Sequence, residues 1–255
     1  MAPAPARFDS TALTSDALLG GAVRLLQPRD GYRAATDPVL LAAAVDARPG
    51  QSVLDAGCGA GAAMLCLAAR TPGLALHGLE LQPAYADLAR RNTAAMGVEA
   101  TIWESDLFDA PVPLRQIGFD WVISNPPFFG AGDVASPDNG RDIARREARS
   151  ATDWAAAALA RVRSGGRIAL IHLAARLPEL LLGLAGAGDI AVLPLQSRER
   201  RAAKRVIVAA RKGGKGPFRL APPFILHDGA AHLRDADDFT PAAAAILREG
   251  EALRF

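Results

Sequence analysis

Ser52-Val53-Leu54-Asp55-Ala56-Gly57-Cys58-Gly59-Ala60-Gly61, running straight into Ala62-Ala63-Met64-Leu65-Cys66-Leu67, is the stretch that decides the fold. A short apolar run that ends in a glycine loop and passes into a helical pattern is the start of a strand, turn and helix unit. The glycines permit a tight turn and let backbone N–H groups approach a ligand at the helix N-terminus. A dinucleotide fold uses a similar loop, and a plain strand-to-helix turn is the bland reading, so the loop taken alone is a weak signal. Asp55 separates the ligand classes, because a carboxylate just ahead of the loop repels a pyrophosphate and welcomes an ammonium group.

Beyond the loop, apolar or β-branched runs recur at 74–80, 100–104, 119–124, 166–171, 190–195 and 204–209, with helical spacing at 62–70, 83–96, 154–162 and 177–185. Thr152 or Asp153 is expected to cap the third of these helices, and Gly165-Gly166 to stop it. This alternation predicts an α/β, Rossmann-like architecture: a seven-stranded, mostly parallel sheet with helices on both faces. The principal domain is placed at 51–215. Residues 1–50 read as an N-terminal extension forming part of the pocket, with a Gly20-Gly21 turn, a loop at 28–32 and a helix opening at Thr36-Asp37-Pro38. Residues 216–255 read as a covering tail with a short helix at 241–247.

The 255 residues carry a formal net charge of only +2, yet the charges are unevenly placed. Between 198 and 215 stand Arg198, Arg200, Arg201, Lys204, Arg205, Arg211, Lys212 and Lys215 against Glu199 alone, the composition of an RNA-facing patch or of a solvated surface. Cys58 and Cys66 lack zinc-finger spacing and read as structural thiols. The histidines, His77, His172, His227 and His232, are scattered, so neither a metal site nor a catalytic histidine is expected. Trp103, Trp121 and Trp154 fall within predicted elements and read as core. With neither a signal-peptide pattern nor a membrane span, the expectation is a soluble cytoplasmic protein.

Three further features carry chemistry. Glu80 closes the second strand about 20 residues past the glycine loop, where a carboxylate can accept both hydroxyls of a ribose. Asp106 follows the third strand, within reach of an adenine edge. Asn125-Pro126-Pro127-Phe128 ends the fourth. Two prolines fix two φ angles and remove two N–H donors, leaving carbonyl oxygens free to accept from a substrate. Asn125 adds a side-chain acceptor and Phe128 a flat stacking face. The bland alternative is a Pro-Pro turn with a buried Phe.

In this order, the strand, Asp-x-Gly-x-Gly-x-Gly loop, Glu80, Asp106 and Asn-Pro-Pro-Phe resemble the class I S-adenosylmethionine-dependent methyltransferases over residues 51–210. The stretches Leu26-Gln27-Pro28-Arg29-Asp30-Gly31-Tyr32-Arg33, Thr36-Asp37-Pro38-Val39-Leu40-Leu41-Ala42, Gly78-Leu79-Glu80-Leu81-Gln82 and Ala203-Lys204-Arg205-Val206-Ile207-Val208 resemble the bacterial tRNA1(Val) adenine-N6 methyltransferase family. Thr36 departs from the residue familiar there, and the tail from Phe218 has no counterpart.

The resemblance implies that Gly57, Gly59 and Gly61 line the methionine half of S-adenosyl-L-methionine. It also implies that Glu80 binds the ribose, that Asp106 contacts the adenine amino group, and that Asp55 and Asp37 lie near the ammonium. The substrate would be an adenine beside the anticodon of tRNA, its amine hydrogens accepted by the Asn125 side chain and the Pro126 carbonyl. Phe128 would stack on the base, while Arg145, Arg146, Arg200, Arg201, Lys204 and Arg205 would meet RNA phosphates. The rivals are a guanine-N2 methyltransferase of ribosomal RNA, a protein-glutamine methyltransferase, a nicotinamide-dependent oxidoreductase and an RNA-binding module that has lost catalysis. Too few residues precede Ser52 for the helical domain of a release-factor enzyme, and Asp55 argues against nicotinamide.

Overall fold

A computed structural model describes residues 7–126, 149–229 and 238–255. Ahead of the glycine loop the chain forms an antiparallel hairpin, β1 (Leu13–Leu18) and β2 (Val23–Pro28), followed by α1 (Thr36–Ala43). The sequence showed the Gly20-Gly21 turn and the helix but not the strands. Leu13, Val23 and Leu25 are buried, so the hairpin packs as part of the core.

The main sheet holds nine strands. Its parallel members are β3 (Ser52–Ala56), β4 (Ala75–Glu80), β5 (Ala100–Glu104), β6 (Phe119–Ser124), β7 (Val162–Leu173) and β8 (Ala187–Gln196). β9 (Arg205–Lys212) runs antiparallel between β7 and β8. The tail adds two short strands, β10 (Arg219–Leu220) and β11 (Phe224–Ile225), both parallel to β8. The order is β10-β8-β9-β7-β6-β3-β4-β5, with β11 also on β8. All seven expected strands are therefore present, and the tail extends the sheet as well as covering it.

Helices lie on both faces because strand side chains alternate. Val53, Trp121, Ile123, Ala169 and Ile207 join one core, which includes the hairpin, α1 and α2 (Ala62–Arg70). Leu54, Val122, Ile168, Leu170 and Val208 join the other, with α4 (Val112–Gln116), α5 (Ala151–Arg161) and α6 (Leu177–Gly183). α3 (Pro83–Ala95) sends Leu88 into the first core.

Two local expectations are corrected. α5 is capped by Ser150, whose hydroxyl accepts from the Asp153 N–H at 3.1 Å while the Asp153 carboxylate accepts from the Ser150 N–H at 3.0 Å. Asp153 is thus the third residue of a capping box and not the cap. Gly165 and Gly166 lie inside β7, not at a helix end. A Cβ on Gly166 would stand 2.9 Å from the Phe119 and Asp120 carbonyl oxygens, so glycine is required by the close approach of β6.

The tail closes on the N-terminal region. Thr240 caps α7 (Pro241–Ala244), which continues as a π-helical turn over Ala245–Glu249. The Leu253 N–H donates to Ala43 O at 2.8 Å, and Arg70 donates to the Gly250 and Ala42 carbonyls.

Candidate active site

The C-terminal ends of β3, β4 and β6 meet at the point where strand order reverses, the position at which open α/β sheets bind ligands. At the end of β3 the Asp55 side chain is 2% exposed, and its Oδ2 accepts from the Met64 N–H in the first turn of α2 at 3.2 Å. Burial pushes its carboxyl up to about 7, opposed by the Met64 hydrogen bond and reinforced by the charge of Glu80.

The glycine loop is pinned to β4 by the Gly57 and Cys58 N–H groups, which both donate to Leu79 O, at 2.7 and 3.0 Å. Gly57, Gly59 and Gly61 have φ of 75°, 54° and 87°, a region that side chains with a Cβ rarely enter. Gly61 begins α2 with no side-chain cap. Glu80 stands behind the loop, with one carboxylate oxygen accepting from Gly59 N–H at 3.0 Å and the other from Gln82 N–H at 2.8 Å.

At the end of β6, Ser124 is fully buried; its hydroxyl donates to Ala56 O at 2.5 Å and accepts from Trp154 Nε1 at 3.0 Å. The Trp154 ring covers Gly57, where an added Cβ would lie 3.1 Å from Cζ2. One indole therefore ties the strand that presents Asn125 to the glycine loop. Pro126 is buried beside Asn125. Pro127, Phe128, Arg145 and Arg146 lie outside the described residues.

The N-terminal region forms the facing wall. Buried Asn92 on α3 donates to both Leu26 O (3.0 Å) and Ala60 O (2.9 Å), joining the hairpin to the glycine loop. Gln27 accepts from Ala34 N–H at 2.6 Å, and Arg33 donates to Asp16 at 2.6 Å, fixing the loop that carries Tyr32. Tyr32 Oη accepts from Asn125 Nδ2 at 3.1 Å, and Tyr85 Oη donates to Tyr32 O at 3.1 Å. These walls bound a cleft that opens to solvent and is lined, among the described residues, by Asp55, Gly57, Ala62, Tyr32, Tyr85, Asn125 and others, none of them Lys or Arg.

The remaining expected residues lie outside the lining of this cleft. Asp37 pairs with Arg205, Oδ2 to Nε 3.1 Å, so a residue expected beside the cofactor and one expected on RNA face each other. Asp106 accepts from Phe108 N–H at 3.0 Å and pairs with Arg149 at 3.5 Å, while the Arg149 guanidinium lies 3.8 Å from the Phe108 ring centre. Arg200, Arg201 and Lys204 are exposed on the loop between β8 and β9, at the same sheet edge as the cleft. The basic run is not one patch. Because β9 runs backwards, Arg211, Lys212 and Lys215 end at the opposite edge, and Arg198 is held by Asp238.

Tyr32, Tyr85 and Trp154 are the site residues that sequence reasoning missed. The chain has only 2 tyrosines, and both lie at this cleft. Trp154 is half-buried against the site, Trp103 donates to His77 Nδ1 at 3.2 Å, and Trp121 alone is fully core. Among the described residues no group of three His, Cys, Asp or Glu side chains could hold a metal, and no helix is long and apolar enough to cross a membrane.

A cleft of this form, at a Rossmann-like switch point with an acid before the glycine loop and Asn-Pro after β6, agrees with the family comparison. The chain belongs to the methyltransferase small domain family, whose model matches residues 35–174. It is 35% identical over 159 residues to the tRNA1(Val) (adenine(37)-N6)-methyltransferase of Porphyromonas gingivalis, covering 59% of this chain and 62% of that one. With the Haemophilus influenzae protein of the same name it shares 30% over 143 residues, covering 53% and 59%. The chain therefore spans about 60% of the length of these curated relatives. A solved Agrobacterium tumefaciens structure described as a predicted O-methyltransferase superposes with a TM-score of 0.69 at 26% identity, covering 86% of this chain and 99% of that one.

Proposed function

We propose that this protein is an S-adenosylmethionine-dependent N-methyltransferase acting on the exocyclic amine of adenine in tRNA, beside the anticodon, in the cytoplasm. The observation that carries the reading is that Asn125 and the Asp55 to Gly61 loop line one cleft. The names of the P. gingivalis and H. influenzae relatives support the choice of tRNA adenine.

The cleft suits this cofactor on its own chemistry. Among the described residues its lining offers the buried carboxylate of Asp55 and no Lys or Arg, which favours a ligand carrying an ammonium over one carrying phosphates. S-adenosylmethionine, when bound, supplies an activated methyl group on a sulfonium centre. Gly57, Gly59 and Gly61 would let the backbone approach its methionine half, with Asp55 countering the ammonium and Asp37 reinforcing the negative field. Glu80 would accept the ribose hydroxyls, and Asp106 would meet the adenine edge.

An adenine amine is a weak nucleophile because its lone pair is delocalised into the ring. Accepting its two hydrogens at Asn125 Oδ1 and the Pro126 carbonyl favours a pyramidal nitrogen with the lone pair freed. Alignment supplies most of the remainder, on the order of 7–11 kcal/mol, so no strong base is needed. Phe128 would stack on the flipped base, and Arg200, Arg201, Lys204, Arg205, Arg145 and Arg146 would meet the phosphate backbone. In this scheme residues 1–50 build the substrate-side wall, 51–215 the methyltransferase domain and 216–255 the covering tail.

Labelled methyl transfer to fractionated RNA, followed by nucleoside analysis, tests the reading. The expected product is 6-methyladenosine in tRNA; 2-methylguanosine or labelled protein would overturn it. Asn125→Ala should abolish transfer while thermal stabilisation by S-adenosylmethionine persists, and normal turnover in that variant would refute the role of Asn125.

A further inference from the structure

The contact between Asn125 Nδ2 and Tyr32 Oη bears on which end of the Asn125 amide faces the cleft. The two ends of a carboxamide are alike in shape and opposite in chemistry. Only the carbonyl end accepts an N–H; turned by half a rotation, the amide presents NH2 to NH2 and the pairing with an amine is lost.

A hydroxyl can donate or accept; here the Nδ2 end of the amide is the one that meets Tyr32 and donates to Oη at 3.1 Å, which turns Oδ1 away from the tyrosine. The residue as a whole is half exposed, yet its hydroxyl stays protonated, its pKa raised to about 12 by burial first and then by the charges of Asp37 and Asp55, so it remains a neutral partner for the amide. Tyr32 is itself held in place. Its carbonyl accepts from Tyr85 Oη, the Tyr85 ring meets Phe8 edge-on with centroids 5.2 Å apart, and its own ring edge lies 3.8 Å from where a Gly59 Cβ would stand.

We propose that Tyr32 is a positioning residue that fixes the Asn125 carboxamide with Oδ1 facing the acceptor amine. This rests on the role of Asn125 given under the proposed function. No step of the transfer passes through Tyr32; it acts through the amide it orients.

Steady-state methylation of tRNA by the wild type, Tyr32→Phe and Tyr32→Ala tests the assignment. Phe keeps the ring over Gly59 and removes only the hydroxyl. Tyr32→Phe should lower kcat by about two- to tenfold with KM for S-adenosylmethionine and for tRNA unchanged; the lower bound corresponds to equal populations of the two amide orientations and the upper to losing a whole hydrogen bond. Tyr32→Ala should add a rise in KM for S-adenosylmethionine, from loss of the ring. An unchanged kcat in Tyr32→Phe, or a loss expressed wholly in KM, overturns the assignment. A wild type that methylates no RNA instead overturns the proposed function, and that result is read before any variant.

Discussion

Asp55→Asn is expected to stabilise the ligand-free protein, and to do so more at high pH than at low. The folded protein holds the Asp55 proton up to about pH 7, against an ordinary value of 3.8. The unfolded chain gives up that proton first, so stability from this group is full below the ordinary value and is lost as pH rises toward 7. With about 1.4 kcal/mol per pKa unit, the accumulated penalty is about 4 kcal/mol near pH 8 and between about 1 and 2 kcal/mol near pH 5. Asn has no charge to desolvate, and its carbonyl can still accept from Met64 N–H. The stability advantage of the variant should therefore grow by roughly 2–3 kcal/mol between about pH 5 and about pH 8, or about 4–12 °C in Tm for a chain of this size. Thermal denaturation of both proteins at the two pH values measures it, and taking the difference between them cancels the titrating groups that do not feel the charge of Asp55. A Tm difference that is the same at both pH values would refute the claim that a strained carboxylate waits in this cleft. On the proposed function, a cofactor ammonium beside Asp55 would relieve this strain, so S-adenosylmethionine binding near neutral pH is expected to release a proton.

Two further outcomes follow from the site's supports and its rim. Trp154→Phe removes the donor to the buried Ser124 hydroxyl and should cost about 1–2 kcal/mol, read from the urea midpoint at constant slope; an unshifted midpoint would show that the indole hydrogen bond has no structural weight. Replacing Arg200, Arg201 and Lys204 together by Gln should reduce the salt dependence of RNA binding, d log K/d log[salt], by about 2 for a single-stranded loop. An unaltered slope would move the RNA path away from the β8 to β9 loop.

The fold was legible wherever one side-chain period ruled. The strands from 52 to 124 alternate between two cores except between Phe119 and Trp121, where the pairing shifts, and the three glycines of the 57–61 loop, which could be read as a turn, all take positive φ. The hairpin at Leu13–Leu18 and Val23–Pro28 was hidden because half of its first strand is polar and Leu13 is its one fully buried residue, so no apolar alternation marks it. The S-x-x-D pattern at Ser150 to Asp153 is a capping box, but the helical spacing legible in the sequence begins at Trp154. In the site, the residues that define chemistry were visible and those that hold them were not. Tyr32 and Trp154 act through contacts with positions far along the chain, Asn125 and Ser124, and no local pattern reports such a pairing. The basic run misled for the opposite reason: neighbours in sequence were separated by the length of β9.

The docking of the tail on the N-terminal region makes the cleft depend on residues remote from it in sequence. The wall that carries Gln27 and Tyr32 adjoins α1 and the turn at Leu19–Gly21, and both touch the π-helical turn at Ala245–Glu249; a Cβ on Gly20 would stand 2.6 Å from Arg248 O. Severing the chain ahead of that turn would therefore loosen the cleft from its far side while leaving the glycine loop and its sheet in place, so the pocket and the sheet beneath it can fail separately.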